Sequence, residues 1–174
     1  MVKLDSTVDA LPCYVDEKNI HLFSQHRVLS ENELRSRMDI GLDAYAKIIG
    51  IEARTMLMMA RREILPAVVR YAGEIAEAGE KLNRFSKNAP RNAAENLAVE
   101  LCQDIEVLKQ GIDHLAAALE KAPAEGEPLA IARYMKDVVQ SRMAELRKAA
   151  DDLEVITDRK AWPFPTYDEL LFNI

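Results

Sequence analysis

The residue types capable of chemistry are few in this chain, and their spacing does not bring them together. His21 and His26 are five positions apart, so on a helix they face different ways and lack the i, i+4 geometry of a helical metal pair. His114 has only Gln110 and Asp113 near it in sequence, which is no ligand set. The acidic pairs Glu74/Glu77 and Asp151/Asp152 lack the Glu-x-x-His partners of a di-iron bundle and read as solvated helix faces. Arg61, Arg62 and Arg70 would suit an anion, but Glu63 and Glu74 lie close by and favour surface ion pairs. Met56, Met58 and Met59 would make an adaptable binding surface, although Met56 sits where core packing is expected. Cys13 and Cys102 belong to no C-x-x-C pair and read as free thiols. There is no glycine-rich phosphate loop, nucleophile elbow or Ser/His/Asp set. The expectation is therefore no catalytic, cofactor-binding or metal-ligating residue in this chain.

Composition agrees with a helical scaffold. Hydrophobic residues make up 49% and charged residues 30%, which separates the chain from disordered sequences. Aromatics are only 6%, and Ala, Leu, Glu, Lys and Arg dominate, which favours helix. A net charge of −6 argues against nucleic acid as a main partner. No apolar run approaches the ~20 residues that span a bilayer, and the first residues lack a signal-peptide core. The expected setting is the cytoplasm, with no membrane partner. The opening reads like a connecting segment, so the chain is expected to be a fragment of a longer one.

The elements follow from caps and periods. Residues 1–12 read as extended, since Pro12 biases Leu11 away from helix. A short helix follows, capped by Asp16 and running from Glu17 to Gln25, with Ile20, Leu22 and Phe23 on its buried side. Ser30-Glu31-Asn32-Glu33 is a capping box that starts a long helix. From Leu34, steps of 4, 4 and 3 land on Met38, Leu42, Tyr45, Ile49, Ala53, Met56, Ala60, Ile64, Ala67, Tyr71, Ile75, Ala78 and Leu82, all apolar or aromatic. Three turns per eleven residues is close to the period of an unstrained helix, so the seam stays on one face for ~72 Å. Pro66 cannot donate to the Arg62 carbonyl, which predicts a kink near residues 62–66.

Asn83 to Pro90 reads as the turn after this helix. A second long helix is expected from about Arg91 to Ala122, on a stripe of Ala94, Leu97, Leu101, Ile105, Leu108, Ile112, Leu115 and Leu119. PAEGEP breaks it, and a third runs from about Leu129 to Ile156 on Ile131, Met135, Val139, Met143, Leu146, Ala150 and Leu153. Short connections make the fold class all-α: an antiparallel bundle of three long helices, with short terminal helices and one very long helix kinked at Pro66. The domain division expected is a connecting segment and short helix over 1–29, the bundle over 30–161, and an aromatic docking tail over 162–174. Four of the ten aromatics (Trp162, Phe164, Tyr167 and Phe172) fall in those last thirteen positions, with Pro163 and Pro165 holding the stretch extended. Thr166 and Glu169 would cap a last helical turn.

The combination DALP-x-Y and KNI-x-LF, then IEA-x-TM and ILPA in the long helix, then WP-x-PTY at the end, resembles the C-terminal region of type III glutamine synthetases. The likeness runs over almost the whole chain and is weakest from about Asn83 to Glu127. It implies a cytosolic enzyme that joins ammonia to glutamate at the expense of ATP, with Mg²⁺ or Mn²⁺, and that assembles as a homo-dodecamer of two hexameric rings. The resemblance puts the family's metal and nucleotide sites upstream of this region, so no catalytic residue carries over. This piece is then a structural and assembly domain whose partners are the catalytic domain of the same chain and neighbouring subunits. A stand-alone helical adaptor that binds a partner helix is the alternative. An all-helical mutase with an arginine-lined pocket fits less well, because the seams are uniformly apolar.

Overall fold

The computed structural model describes residues 4–85, 92–165 and 167–172. Among these there is no strand, and the chain is an all-α helical bundle as expected. The first helix appears where extended chain was expected. Ser6 caps α1 (Thr7–Ala10), its Oγ accepting from the Asp9 N–H. A 3₁₀ turn follows over Leu11–Val15, with Pro12 in its first turn, where a missing N–H has no helical acceptor to lose. The restriction that Pro12 places on Leu11 is overridden, for Leu11 takes φ −59°, ψ −38°.

The second helix, α2 (Glu17–Gln25), has the expected bounds, but Asp16 makes no side-chain cap. Its Leu22 is exposed rather than buried, Ile20 and Phe23 are half-buried, and no residue of α2 is buried. The helix closes with the Val28 N–H bonded to the Phe23 carbonyl at 3.0 Å. Arg27, at φ +53°, occupies the left-handed position that such a terminus usually gives to glycine.

The capping box forms as its spacing requires. The Ser30 N–H donates to Glu33 Oε2 at 2.8 Å, and the Glu33 N–H donates to Ser30 Oγ at 3.4 Å. From there α3 (Glu31–Met59), a π-helical turn (Ala60–Ile64) and α4 (Leu65–Phe85) make one helical run of 55 residues. The π turn is the answer to Pro66. The Leu65 N–H bonds the Ala60 carbonyl five residues back, so the pattern widens just before the residue that has no N–H to give. On the seam, Leu34, Leu42, Ile49, Ala53, Ala60, Ile64 and Ala67 are buried. Ala78 and Leu82 are exposed, so the seam outlasts its packing partners. Helix also continues through Asn83–Phe85, where a turn was expected; the rest of that expected turn lies outside the described residues.

The second long helix, α5 (Asn92–Glu120), buries Leu101, Leu108, Ile112 and Leu115 from its stripe. After the 121–127 break, α6 (Pro128–Tyr134) starts on Pro128, passes through a π turn (Met135–Val139) and continues as α7 (Gln140–Ile156). No proline accompanies this second π turn, and nothing in the sequence announces it. The tail turns on Asp158, whose Oδ1 accepts from the Lys160 N–H at 2.7 Å and whose carbonyl accepts from the Trp162 N–H at 3.0 Å. A six-residue helix, α8 (Tyr167–Phe172), ends the described chain, and the proposed Thr166 cap lies outside the described residues.

The chain forms two compact units, Met1–Arg54 with Ala117–Ser141, and Thr55–Ala116 with Arg142–Ile174. In the first, Val8, Leu42 and Ala132 form a buried cluster, flanked by Leu11, Met38, Tyr45 and Leu129. In the second, α5 and α7 approach closely at Gly111, where a Cβ would stand 3.3 Å from the Leu146 Cα. A side chain there would force the helices apart.

Two substitutions on α5 separate core from surface. Leu108→Ala, at a fully buried position, is expected to lower unfolding free energy by about 2–5 kcal/mol in chemical denaturation. Val107→Ala, next to it but exposed, is expected to change it by no more than about 0.5 kcal/mol. Arg27→Val puts a β-branched side chain in the left-handed position and is expected to cost roughly 1–2 kcal/mol, which Arg27→Gly does not.

Candidate interaction surfaces and a polar latch

The residues that spacing singled out for chemistry are dispersed. His21, His26 and His114 are exposed, and the His26 N–H serves as a helix-end donor to the Leu22 and Ser24 carbonyls. The acids pair with bases one turn away: Glu77 with Lys81 at 2.7 Å, Asp151 with Arg147 at 3.3 Å, and Asp152 with Lys148. Hydrogen bonding from Lys81 holds the Glu77 carboxyl below its ordinary value. Arg61 and Arg62 sit exposed in the first π turn, and Arg70 is exposed on α4. Met58 is exposed, while Met56 and Met59 are half-buried. Among the described residues no group of three or more His, Cys, Asp or Glu is placed to hold a metal ion. A groove between α4 and α5 has an apolar floor of Ile75, Ala76, Ala94, Ala98 and Val99, with Glu80, Asn83 and Glu95 also lining it.

The chain does build a polar cluster in its first unit, which the sequence reading missed. Lys136, in the second π turn, donates to Asp9 Oδ2 at 2.6 Å, and Ser6 Oγ donates to the same oxygen at 2.8 Å. Nearby, the Tyr45 hydroxyl donates to Gln140 Oε1 at 3.0 Å. The Lys136 hydrogen bond, followed by that of Ser6, draws the Asp9 carboxyl below its usual 3.8, and the Arg133 charge adds to the effect. Reciprocally, the hydrogen bond to Asp9 raises Lys136. Burial raises the Tyr45 phenol. The cluster joins residues 127 apart in sequence, so it pins α1 onto the third long helix. One local signal was present: Ser6-Thr7-Val8-Asp9 has the spacing of a capping box, with Asp in place of Glu. No local pattern points to Lys136.

Two other surfaces stand out by exposure. On α8, Leu170, Leu171 and Phe172 are 65%, 70% and 75% exposed, in consecutive positions. The Glu169 carboxylate beside them accepts from Arg159 at 2.6 Å, which ties α8 to the preceding turn. Trp162, expected to dock elsewhere with the tail, is buried. On α3, Ile40, Ala44, Ile48 and Ile51 form an exposed ribbon with the same 4, 4, 3 spacing as the buried seam.

Asp9 binds its proton more weakly when folded, so its contribution to stability is complete above the ordinary carboxylate range. That contribution is lost as pH falls through the lowered value. Unfolding free energy measured between pH 2 and 7 should therefore decline in acid. Lys136→Met is expected to make that decline shallower, with other paired carboxylates such as Glu33 and Asp113 keeping part of it.

Comparison with known proteins adds an independent line. Residues 1–83 match the glutamine synthetase C-terminal domain family. Over 177 residues the chain is 32% identical to the type-3 glutamine synthetase of Dictyostelium discoideum, covering 99% of this chain and 24% of that protein. It is 31% identical over 173 residues to a glutamine synthetase of Butyrivibrio fibrisolvens, covering 98% and 24%. With a glutamine synthetase of Bacteroides fragilis it is 25% identical over 169 residues, covering 95% and 23%. The chain thus spans about a quarter of the length of these relatives.

Proposed function

Because this chain is a glutamine synthetase C-terminal domain, homologous to the C-terminal part of type-3 glutamine synthetases, we propose that it is the non-catalytic assembly domain of an enzyme ligating ammonia to glutamate with ATP hydrolysis. The chemistry belongs to the rest of that enzyme. ATP and Mg²⁺ or Mn²⁺ need converging carboxylates and phosphate-binding backbone, whereas Glu77, Asp151 and Asp152 are each engaged with a base on their own helix. This supports placing the nucleotide and metal sites in the rest of the enzyme.

In this reading residues 1–29 connect the bundle to the catalytic body, 30–161 form the strut, and 162–174 dock. The partners are the catalytic domain of the same chain and neighbouring subunits of a homo-dodecamer. The enzyme is cytoplasmic, which suits two cysteines that form no disulfide. No described helix is long and apolar enough to cross a membrane.

The observation that carries the docking role is α8, where three consecutive large apolar side chains face water. Burying a side chain of this size contributes about 1.5–3 kcal/mol, so three of them favour a covered site. Two changes in the full-length enzyme test this. Deleting 162–174 is expected to reduce assembly and lower the melting temperature, but it also removes the buried Trp162. Leu171→Asp with Phe172→Asp keeps Trp162 and is expected to shift light-scattering mass away from the dodecamer. Unchanged mass and melting for both variants would refute the role.

A further inference from the structure

The segment from Ser6 to Leu29 lies on the first unit as a strap fastened at one end. At its first helix, Val8 enters the buried cluster with Leu42 and Ala132, and Asp9 is held by Lys136. Leu11 lies so close over Gly41 that a Cβ at Gly41 would come within 2.8 Å of Leu11 Cδ1. The Asn19 side-chain amide donates to the Cys13 carbonyl at 2.6 Å and carries the fastening to the start of α2. Beyond that point Ile20 and Phe23 are half-buried and no residue of α2 is buried.

Nine residues make α2, well below the ~12–15 at which an isolated helix becomes even marginal in water, so a helix of this length depends on packing. Yet α2 buries no residue. Its Leu22 is 50% exposed, Tyr14 just before it is 45% exposed, and Val28 just after it is 62% exposed. Single exposed apolar residues are ordinary. A short helix with nothing buried, closed by an arginine in the left-handed conformation, is not. Arg27 is the one non-glycine residue with positive φ among those described, and strain of that kind persists where surroundings over-determine it. Val28 occupies the position whose side chain usually packs back on the end of such a helix, and here it points to water instead.

We infer that Tyr14, Leu22 and Val28 form the surface on which the preceding part of the same polypeptide packs. This rests on the reading of the chain as the C-terminal part of a larger synthetase. The relatives carry about three quarters of their length outside the matched region, and in a C-terminal part that length precedes the strap. In that reading the body is joined covalently on the N-terminal side of this surface, and its effective concentration there exceeds that of any separate chain. Val8, Leu11 and Asp9 fix the strap to the bundle, and α2 presents its uncovered side to the body.

The test uses the full-length enzyme carrying Leu22→Cys, Val28→Cys or, as a reference in the exposed loop after α5, Glu125→Cys. Maleimide labelling is followed by peptide mass spectrometry under native and denaturing conditions. Positions 22 and 28 are expected to label at least tenfold more slowly than position 125 in the native enzyme and equally when denatured. Equal native labelling would overturn the inference. A benzophenone attached at position 22 is expected to crosslink to an upstream peptide of its own chain, giving single-chain mass on a denaturing gel. Crosslinking between chains would assign the surface to a neighbouring subunit and overturn the assignment to the same polypeptide. A full-length protein that forms no glutamine from glutamate, ammonia and ATP would defeat the family reading. The labelling result would still decide the surface.

Discussion

Keeping one ribbon of apolar side chains in register along a single helix is the constraint on which the rest of this protein depends. An α-helix advances 3.6 residues per turn, so steps of 4, 4 and 3 hold a row on one face with little drift. From Leu34 to Ala67 that row carries Leu34, Leu42, Ile49, Ala53, Ala60, Ile64 and Ala67, all of which are buried. Helix propensity alone would not keep residues 31–85 continuous through Gly41, Gly50 and Pro66. Burial along the row does. The capping box at Ser30 sets where the row begins, so the phase of the helix is fixed from its first turn.

Much of this was legible because it is local and periodic. The capping box, the seam, the stripes of α5 and α7 and the bounds of α2 all depend on residues within a few positions of one another, and the chain carries those signals openly. What sequence reading missed is non-local or decided by competition. Pro12 argued against helix in the first dozen residues, whereas the Ser6 cap and the tolerance of a first turn for proline argued for it, and the latter won. Leu22 looked like a buried residue because its neighbours Ile20 and Phe23 are apolar, but half of its surface is exposed. The Lys136 contact with Asp9 joins residues 127 apart, so no window would reveal it. The π turn at Met135–Val139 has no proline to mark it.

The candidate site was legible in a different sense. The seams are apolar and the charged residues answer one another at a spacing of one turn, which is a surface built for solubility and packing. The uncovered apolar side chains, on the strap, on the outer ribbon of α3 and on α8, are consistent with a piece whose remaining contacts belong to a larger body.

The π turn before Pro66 also changes what the polypeptide encodes at that place. A π turn holds one residue more than an α turn, so the helix beyond it keeps its faces while the residue number at each place moves on by one. Past the turn the buried set includes Val68 and Ala72, one position beyond the Ala67 and Tyr71 of the original row. The five residues Ala60 to Ile64 therefore take up one extra residue without turning the helix that follows. Arg61, Arg62 and Glu63 are exposed there, and dropping one of them would return the turn to α winding, with Val68 and Ala72 taking the row positions of Ala67 and Tyr71.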